Sequence, residues 1–204
     1  MKTVPSDIAF TPSVKAQQTR LGSRAAYARM EEGDGWADVV TTDLAAFIQS
    51  TRSFYLGTAS AEGQPYIQHR GGPAGFLHVL DAHTLAFADF SGNRQYITTG
   101  NLAENPRAYI FIMDYARQVR VKLWGTARVV EDDDELLARL RPARGNIRVE
   151  RVIVFEVKAW DRNCRQHIPV LFSEDDVQAA VAPLHERIAT LEAEIAKLKT
   201  SSQQ

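Results

Sequence analysis

FYLGTASAEGQPYIQHRGGPAG (residues 54–75), continuing as FLHVLDAHTLAFADFSGNRQYITTGNLAENPRAYIFIM (residues 76–113), is the stretch that decides the fold. Three short apolar runs, Phe54–Ala59, Thr84–Ala88 and Ala108–Met113, are separated by Gly, Pro, Asn and Asp. Short β-prone runs between turn formers predict antiparallel strands joined by tight turns. Two polar insertions interrupt them, Gln68-His69-Arg70-Gly71-Gly72 and Asp89-Phe90-Ser91-Gly92-Asn93-Arg94-Gln95. Each sets arginine and glycine just past a strand, where backbone N–H groups can approach a ligand and a guanidinium can grip an anion bidentately. Arg70 and Arg94 are the leading anion-binding candidates, with Asn93 and Ser91 as neutral donors. On position alone, two ordinary surface arginines are an equal reading.

Further strands flank this stretch. Pro65–His69 pairs back on Phe54–Ala59 through the turn Ala61-Glu62-Gly63-Gln64, and Phe76–Leu80 forms a hairpin with Thr84–Asp89. Val119–Val130 follows, with Gln118, Arg120 and Lys122 sharing a face by the two-residue period. Val152–Lys158 is a nearly continuous apolar strand. Helices are expected before Gly33, over Leu44–Thr51 with Thr42 or Asp43 as cap, over Arg94–Glu104, and from Glu131 to about Leu140. Arg94 would open its helix, whose start favours an anion. At least six strands with local turns and little βαβ alternation predict a mainly β (α+β) protein, a small antiparallel barrel with peripheral helices. Residues 1–20 are polar and read as a loosely packed arm; Trp36 and Trp124 read as packing residues.

Composition narrows the class. The chain has 204 residues, 45% hydrophobic and 24% charged, with a net charge of −1. That balance gives no basic excess for nucleic acid or an anionic membrane. No apolar run approaches the roughly 18 residues of a membrane helix, and the start lacks the apolar core of a secretory signal. A cytoplasmic protein is expected. The single cysteine, Cys164, excludes an internal disulfide framework and a cysteine cluster for zinc.

The tail is of another kind. Val177, Val181, Leu184, Ile188, Leu191, Ile195 and Leu198 are spaced alternately by four and three, a heptad seam. Two readings stand open: an amphipathic helix folded back on its own barrel, or a helix pairing with its copy in a second subunit. The expected organisation is an N-terminal arm and helices (1–52), a barrel (53–172) and a C-terminal heptad helix (173–204).

Just past the last strand, Trp160, Asp161, Arg162, Asn163, Cys164, Arg165, Gln166 and His167 crowd an indole, amides, a thiol and an imidazole into one loop. A Cys/His nucleophile pair would need an orienting third group, and a metal would need more ligands. Contact with a planar cofactor is the preferred reading: Trp160 stacking, Asn163 and Gln166 bonding ring carbonyls and nitrogens.

Taken together, these motifs resemble the pyridoxamine 5'-phosphate oxidase-like, FMN-binding split-barrel family, particularly its flavin-nucleotide-binding branch. The likeness covers roughly Phe54 to Phe172 and reaches upstream into LGSRAAYARME. It implies a six-stranded antiparallel split β-barrel, a homodimer and FMN at the subunit interface. Arg70 matches the family's strand arginine, although Gly71-Gly72-Pro73-Ala74-Gly75 replaces the apolar run and its lysine. In the second motif, within Phe87-Ala88-Asp89-Phe90-Ser91-Gly92-Asn93-Arg94-Gln95, Arg94 takes the arginine's place, Asn93 the serine's and Gln95 the lysine's. Gln118, in Arg117–Val121, matches a glutamine that touches the isoalloxazine from the partner; aligned instead on Gly125, Arg120 takes that place. The resemblance thus implies a cofactor site of Arg70, Gly71, Gly72, Ala88, Asp89, Asn93, Arg94, Gln95, Gln118, Trp160, Asn163, Gln166 and His167; no catalytic residue is assigned. The chain ends in NCRQHIPVLF and heptads, where true pyridoxamine phosphate oxidases carry an arginine–histidine motif for their substrate. A flavin-dependent oxidoreductase of unnamed substrate is therefore expected, with a non-catalytic flavin carrier or sensor, or a haem- or deazaflavin-binding barrel, as alternatives.

Overall fold

The computed structural model describes residues 4–33, 35–141, 148–163 and 165–201. The chain divides into two compact units, one of Met1–Asp114 with Val119–Arg165 and one of Tyr115–Gln118 with Gln166–Gln204.

In the first unit a turn of tight helix (Pro5–Ile8), α1 (Pro12–Arg20), α2 (Arg24–Glu32) and α3 (Thr42–Ser50) precede the strands. These are β1 (Ser53–Ala59), β2 (Pro65–Gly71), β3 (Leu77–Val79) and β4 (Thr84–Phe90). Then come α4 (Ile97–Glu104), β5 (Arg107–Asp114), β6 (Val119–Val130), α5 (Asp134–Leu140) and β7 (Val149–Asn163). All pairings are antiparallel, in the order β2-β1-β5-β6-β7-β4-β3. The expected six strands are therefore corrected to seven. The short edge strand β3 pairs Leu77, His78 and Val79 with Phe87, Ala86 and Leu85, and Leu77 is fully buried.

The alternation of burial along the strands explains the core. In β6, Val119, Val121, Leu123 and Ala127 point inward while Arg120, Lys122 and Trp124 point outward. Phe54, Leu56, Leu85, Phe87, Ile110, Ile112, Ile153 and Phe155 complete the inner cluster, which α3 covers with Leu44 and Ile48. Leu44 sits at the start of α3, where the Thr41 hydroxyl, not Thr42 or Asp43, accepts its N–H. The long β6 bends at a bulge between Trp124 and Gly125, where β7 contributes one extra residue, Lys158. A Cβ on Gly125 would lie 2.0 Å from the Glu156 carbonyl oxygen, so only glycine lets the two backbones approach this closely.

The expectation of a loose N-terminal arm is also corrected. Phe10 packs between Tyr27 and Trp36, and Trp36 stacks on Trp124 at 4.5 Å between centroids. Lys15 bonds Asp7 at 2.6 Å and lies 3.6 Å from Glu31, which also pairs with Arg24. Hydrogen bonding from Lys15 holds the Asp7 carboxyl below its ordinary range, and Arg24 does the same for Glu31. Ion pairs and one aromatic anchor dock a segment that has no apolar periodicity to announce it.

In the second unit, α6 (Glu174–Ser201) begins with reciprocal bonds between Ser173 and Asp176, a capping box. The Gln118 amide donates to the Ile168 carbonyl at 2.6 Å. No helix among the described residues is long and apolar enough to cross a membrane.

Candidate functional site

At one end of the sheet the inward-facing positions turn from apolar to charged. On β4, Leu85 and Phe87 are followed by Asp89; on β7, Phe155 and Ile153 lead to Arg151; on β2, Tyr66, Gln68 and Arg70 face inward together. Asp89 is the hub. It pairs with Arg70, and its other oxygen lies 3.5 Å from Arg151 Nε. Arg151 also reaches Glu150 at 3.2 Å and Glu131 at 3.3 Å. The Nε atoms of Arg70 and Arg151 are buried without a hydrogen-bond acceptor, which costs free energy that the surrounding carboxylates offset.

A second bulge shapes this end. Asp89 pairs with Arg151 but Phe90 pairs with Val149, so Glu150 is the unmatched residue. Bulges re-aim side chains beside functional sites, and Glu150 lines a cavity here. That cavity, of about 210 Å³, is bounded by β2 (Gln68, Arg70), the end of β4 (Asp89), the loop after it (Asn93, Arg94, Gln95) and the start of α4.

The loop carries local strain. Arg94 and Tyr96 both adopt the left-handed region, with φ of 59° and 55°, a conformation that costs a non-glycine residue about 1–2 kcal/mol. The Arg94 Nε donates to the Tyr96 hydroxyl at 2.8 Å, a bond that raises the guanidinium's pKa further. Arg94 makes no ion pair among the described residues and is exposed. Helix α4 starts immediately after, and Tyr96, its cap residue, provides no side-chain acceptor. The N–H groups of Ile97, Thr98 and Thr99 therefore begin a helix without a side-chain cap, beside a free cation. Thr98 donates to Gln68 at 2.8 Å and Asn101 to Thr58 at 3.0 Å, which fixes the helix start against β2 and β1. Uncapped N–H groups, the helix dipole and an arginine make an anion cradle.

Of the residues expected from sequence, the structure brings Arg70, Asp89, Asn93, Arg94 and Gln95 together around this cavity. Arg94 lies three residues before Ile97, the first residue of α4, instead of opening the helix. Gly71 and Gly72 do not line the cavity: a Cβ on Gly72 would strike the Phe76 ring at 2.6 Å, so that glycine serves packing. Ala88 is buried on the opposite face with Leu140, Val152 and Val154. Trp160 is held in β7, its indole N–H donating to the Val39 carbonyl at 2.8 Å and its ring packed against the core. Asn163 ends β7, its backbone paired with Arg120. Gln118, Gln166 and His167 belong to the second unit, where Gln118 and His167 are left-handed. Cys164 lies outside the described residues. Sequence reading named Gln68 within a polar insertion but gave it no role, and it missed Glu150, Tyr96 and Thr98, which line the cavity with it, and Arg151, which braces it. The two-residue period of β2 would have found Gln68; Glu150 depends on a bulge that no motif marks. Among the described residues no group of three or more His, Cys, Asp or Glu could hold a metal.

The family model described as pyridoxamine 5'-phosphate oxidase matches residues 40–163. No curated protein matches the chain. Among solved structures, HupZ of Group A Streptococcus is 20% identical, with a TM-score of 0.50 over 65% of this chain and 98% of that one. A variant of that protein gives 19% identity and the same TM-score over 61% and 99%. An FMN-binding protein from Syntrophomonas wolfei is 12% identical, with a TM-score of 0.47 over 72% and 97%. The HupZ likeness is one of fold.

Proposed function

The chain belongs to the pyridoxamine 5'-phosphate oxidase family, and on that premise we propose that it is an FMN-binding protein acting as a flavin-dependent oxidoreductase. The observation that carries this reading is the anion cradle of Arg94 and the uncapped start of α4, with the buried, acceptor-less Arg70 Nε beside it. A phosphate fits that donor set. Arg94 and the N–H groups of Ile97 to Thr99 would hold it, Asn93 and Gln95 adding neutral donors, and Arg70 would supply charge from below while Asp89 keeps it in place. The cavity of about 210 Å³ is smaller than the roughly 300–1,000 Å³ that encloses a drug-sized ligand. It suits the phosphate end, and the isoalloxazine would lie beyond it, against a second copy of the chain in a homodimer.

A bound flavin supplies hydride or electron chemistry, while the protein's share is position and electrostatics. Oxidation of pyridoxamine phosphate is not the proposed reaction, because NCRQHIPVLF stands where the arginine–histidine motif for that substrate is expected. Haem is a poorer match: of the usual axial ligands the lining offers only tyrosine, as Tyr66 and Tyr96, and the Tyr96 hydroxyl already accepts from Arg94. The test is Arg94→Ala. Hydrogen bonds to a charged group are worth about 1.5–3 kcal/mol, so FMN affinity should fall roughly ten- to a hundredfold while riboflavin, lacking the phosphate, binds as before. Equal losses for both ligands would contradict the assignment.

A further inference from the structure

Helix α6 runs 28 residues and exposes the stripe that the heptads define. Leu184, Ile188, Leu191 and Ile195 are 61%, 52%, 39% and 50% exposed. Counting from the four-three spacing, Val181, Ile188 and Ile195 occupy the a positions, and Val177, Leu184, Leu191 and Leu198 the d positions. We propose that α6 pairs with α6 of a second copy of this chain as a parallel, in-register, two-stranded coiled coil. This inference stands apart from the flavin reading.

Three observations select that occupant. A stripe of strict a/d spacing is a narrow seam that fits another helix of the same period better than a broad globular surface. Its composition is β-branched at every a position and leucine at three of four d positions, the arrangement that favours two parallel strands. The flanking charges are complementary in that register. Arg187 at g faces Glu192 at e of the second copy, and Glu194 at g faces Lys199 at e. By symmetry each pair occurs twice, giving four attractive pairs and no repulsive one; the remaining g–e pair, Ala180 with His185, adds no charge pair because alanine carries no charge. Pro183 falls at c, on the outer side, so its ring lies off the seam.

The test uses the full chain with Cys164→Ser, so that introduced thiols are the only ones. Leu198→Cys places a thiol at d, where a parallel pair brings two copies within disulfide reach; Thr200→Cys places one at f, facing away. Under mild oxidation the 198 thiols should link copies at least tenfold faster than the 200 thiols. Arg187→Glu should slow that linking, and adding Glu192→Arg should restore it, whereas adding Glu194→Arg should not. An antiparallel pair would show the reverse rescue and no link at 198. No preference for 198 over 200, or rescue by Glu194→Arg, would overturn the proposal. Flavin content, read on the same samples, reports the cofactor assignment separately.

Discussion

Replacing Asp89 by asparagine keeps the shape of the hub and removes its charge. Asp89 is the one carboxylate paired with Arg70 among the described residues, and the two side chains are 13% and 12% exposed. Breaking a buried pair by removing one partner costs about 3–5 kcal/mol, because the other charge is left uncompensated. Asparagine can still accept a hydrogen bond from Arg70, and Arg151 retains Glu150 and Glu131. Those contacts place the expected loss at the lower end, about 3 kcal/mol. With a urea slope of about 2–3 kcal/mol/M for a domain of this size, the unfolding midpoint should fall by about 1–1.5 M with the slope unchanged. Circular dichroism of the cofactor-free protein is the assay. Replacing Arg70 and Asp89 together by leucine should cost much less than the two single replacements added, since no unpaired charge remains. A midpoint within about 0.3 M of the parent for Asp89→Asn would refute the idea that this cluster is a buried, mutually compensating network.

Two further outcomes follow from the structure. Gly125→Ala drives a Cβ into the Glu156 carbonyl and the Phe155 ring; overpacking of about 3 kcal/mol is expected, and a thermal midpoint equal to the parent's would contradict the close approach at the bulge. Asp7 and Glu31 have folded-state pKa values below their unfolded ones, so their stabilisation is complete above the ordinary carboxylate range and lost as pH falls through the lowered values. Acid titration should therefore change the fluorescence of Trp36, which stacks on Trp124 beside the docked segment, before the sheet unfolds; a single simultaneous transition would count against it.

Much of this architecture is legible in the residues because strands and turns announce themselves locally. The runs Phe54–Ala59 and Ala108–Met113 fall inside β1 and β5, and Val119–Val130 is β6 end to end. The heptads of α6 are equally legible, since a strict stripe has no other period. Arg70 and Arg94 were readable as a pair because each stands near a strand end and a glycine, although Arg70 proves to lie within β2 and only Arg94 beyond its strand. Arg151 and Glu150 were not, because their places depend on a bulge set by pairing between distant segments. Trp160 illustrates the opposite failure. An indole in a polar cluster invites a stacking role, yet tertiary pairing puts it in β7 with its N–H committed to Val39. The docked N-terminal segment was hidden for a related reason: Phe10 and the two ion pairs of Lys15, with Asp7 and Glu31, hold it, and neither leaves a periodic signature.

The most direct measurement on the central claim is the absorption spectrum of freshly purified protein, with mass identification of whatever heat denaturation releases. The account predicts the two-banded visible spectrum of an oxidised flavin and release of FMN, or uptake of added FMN by colourless protein with spectral change. A haem spectrum, release of a deazaflavin, or protein that neither carries nor takes up FMN would contradict it.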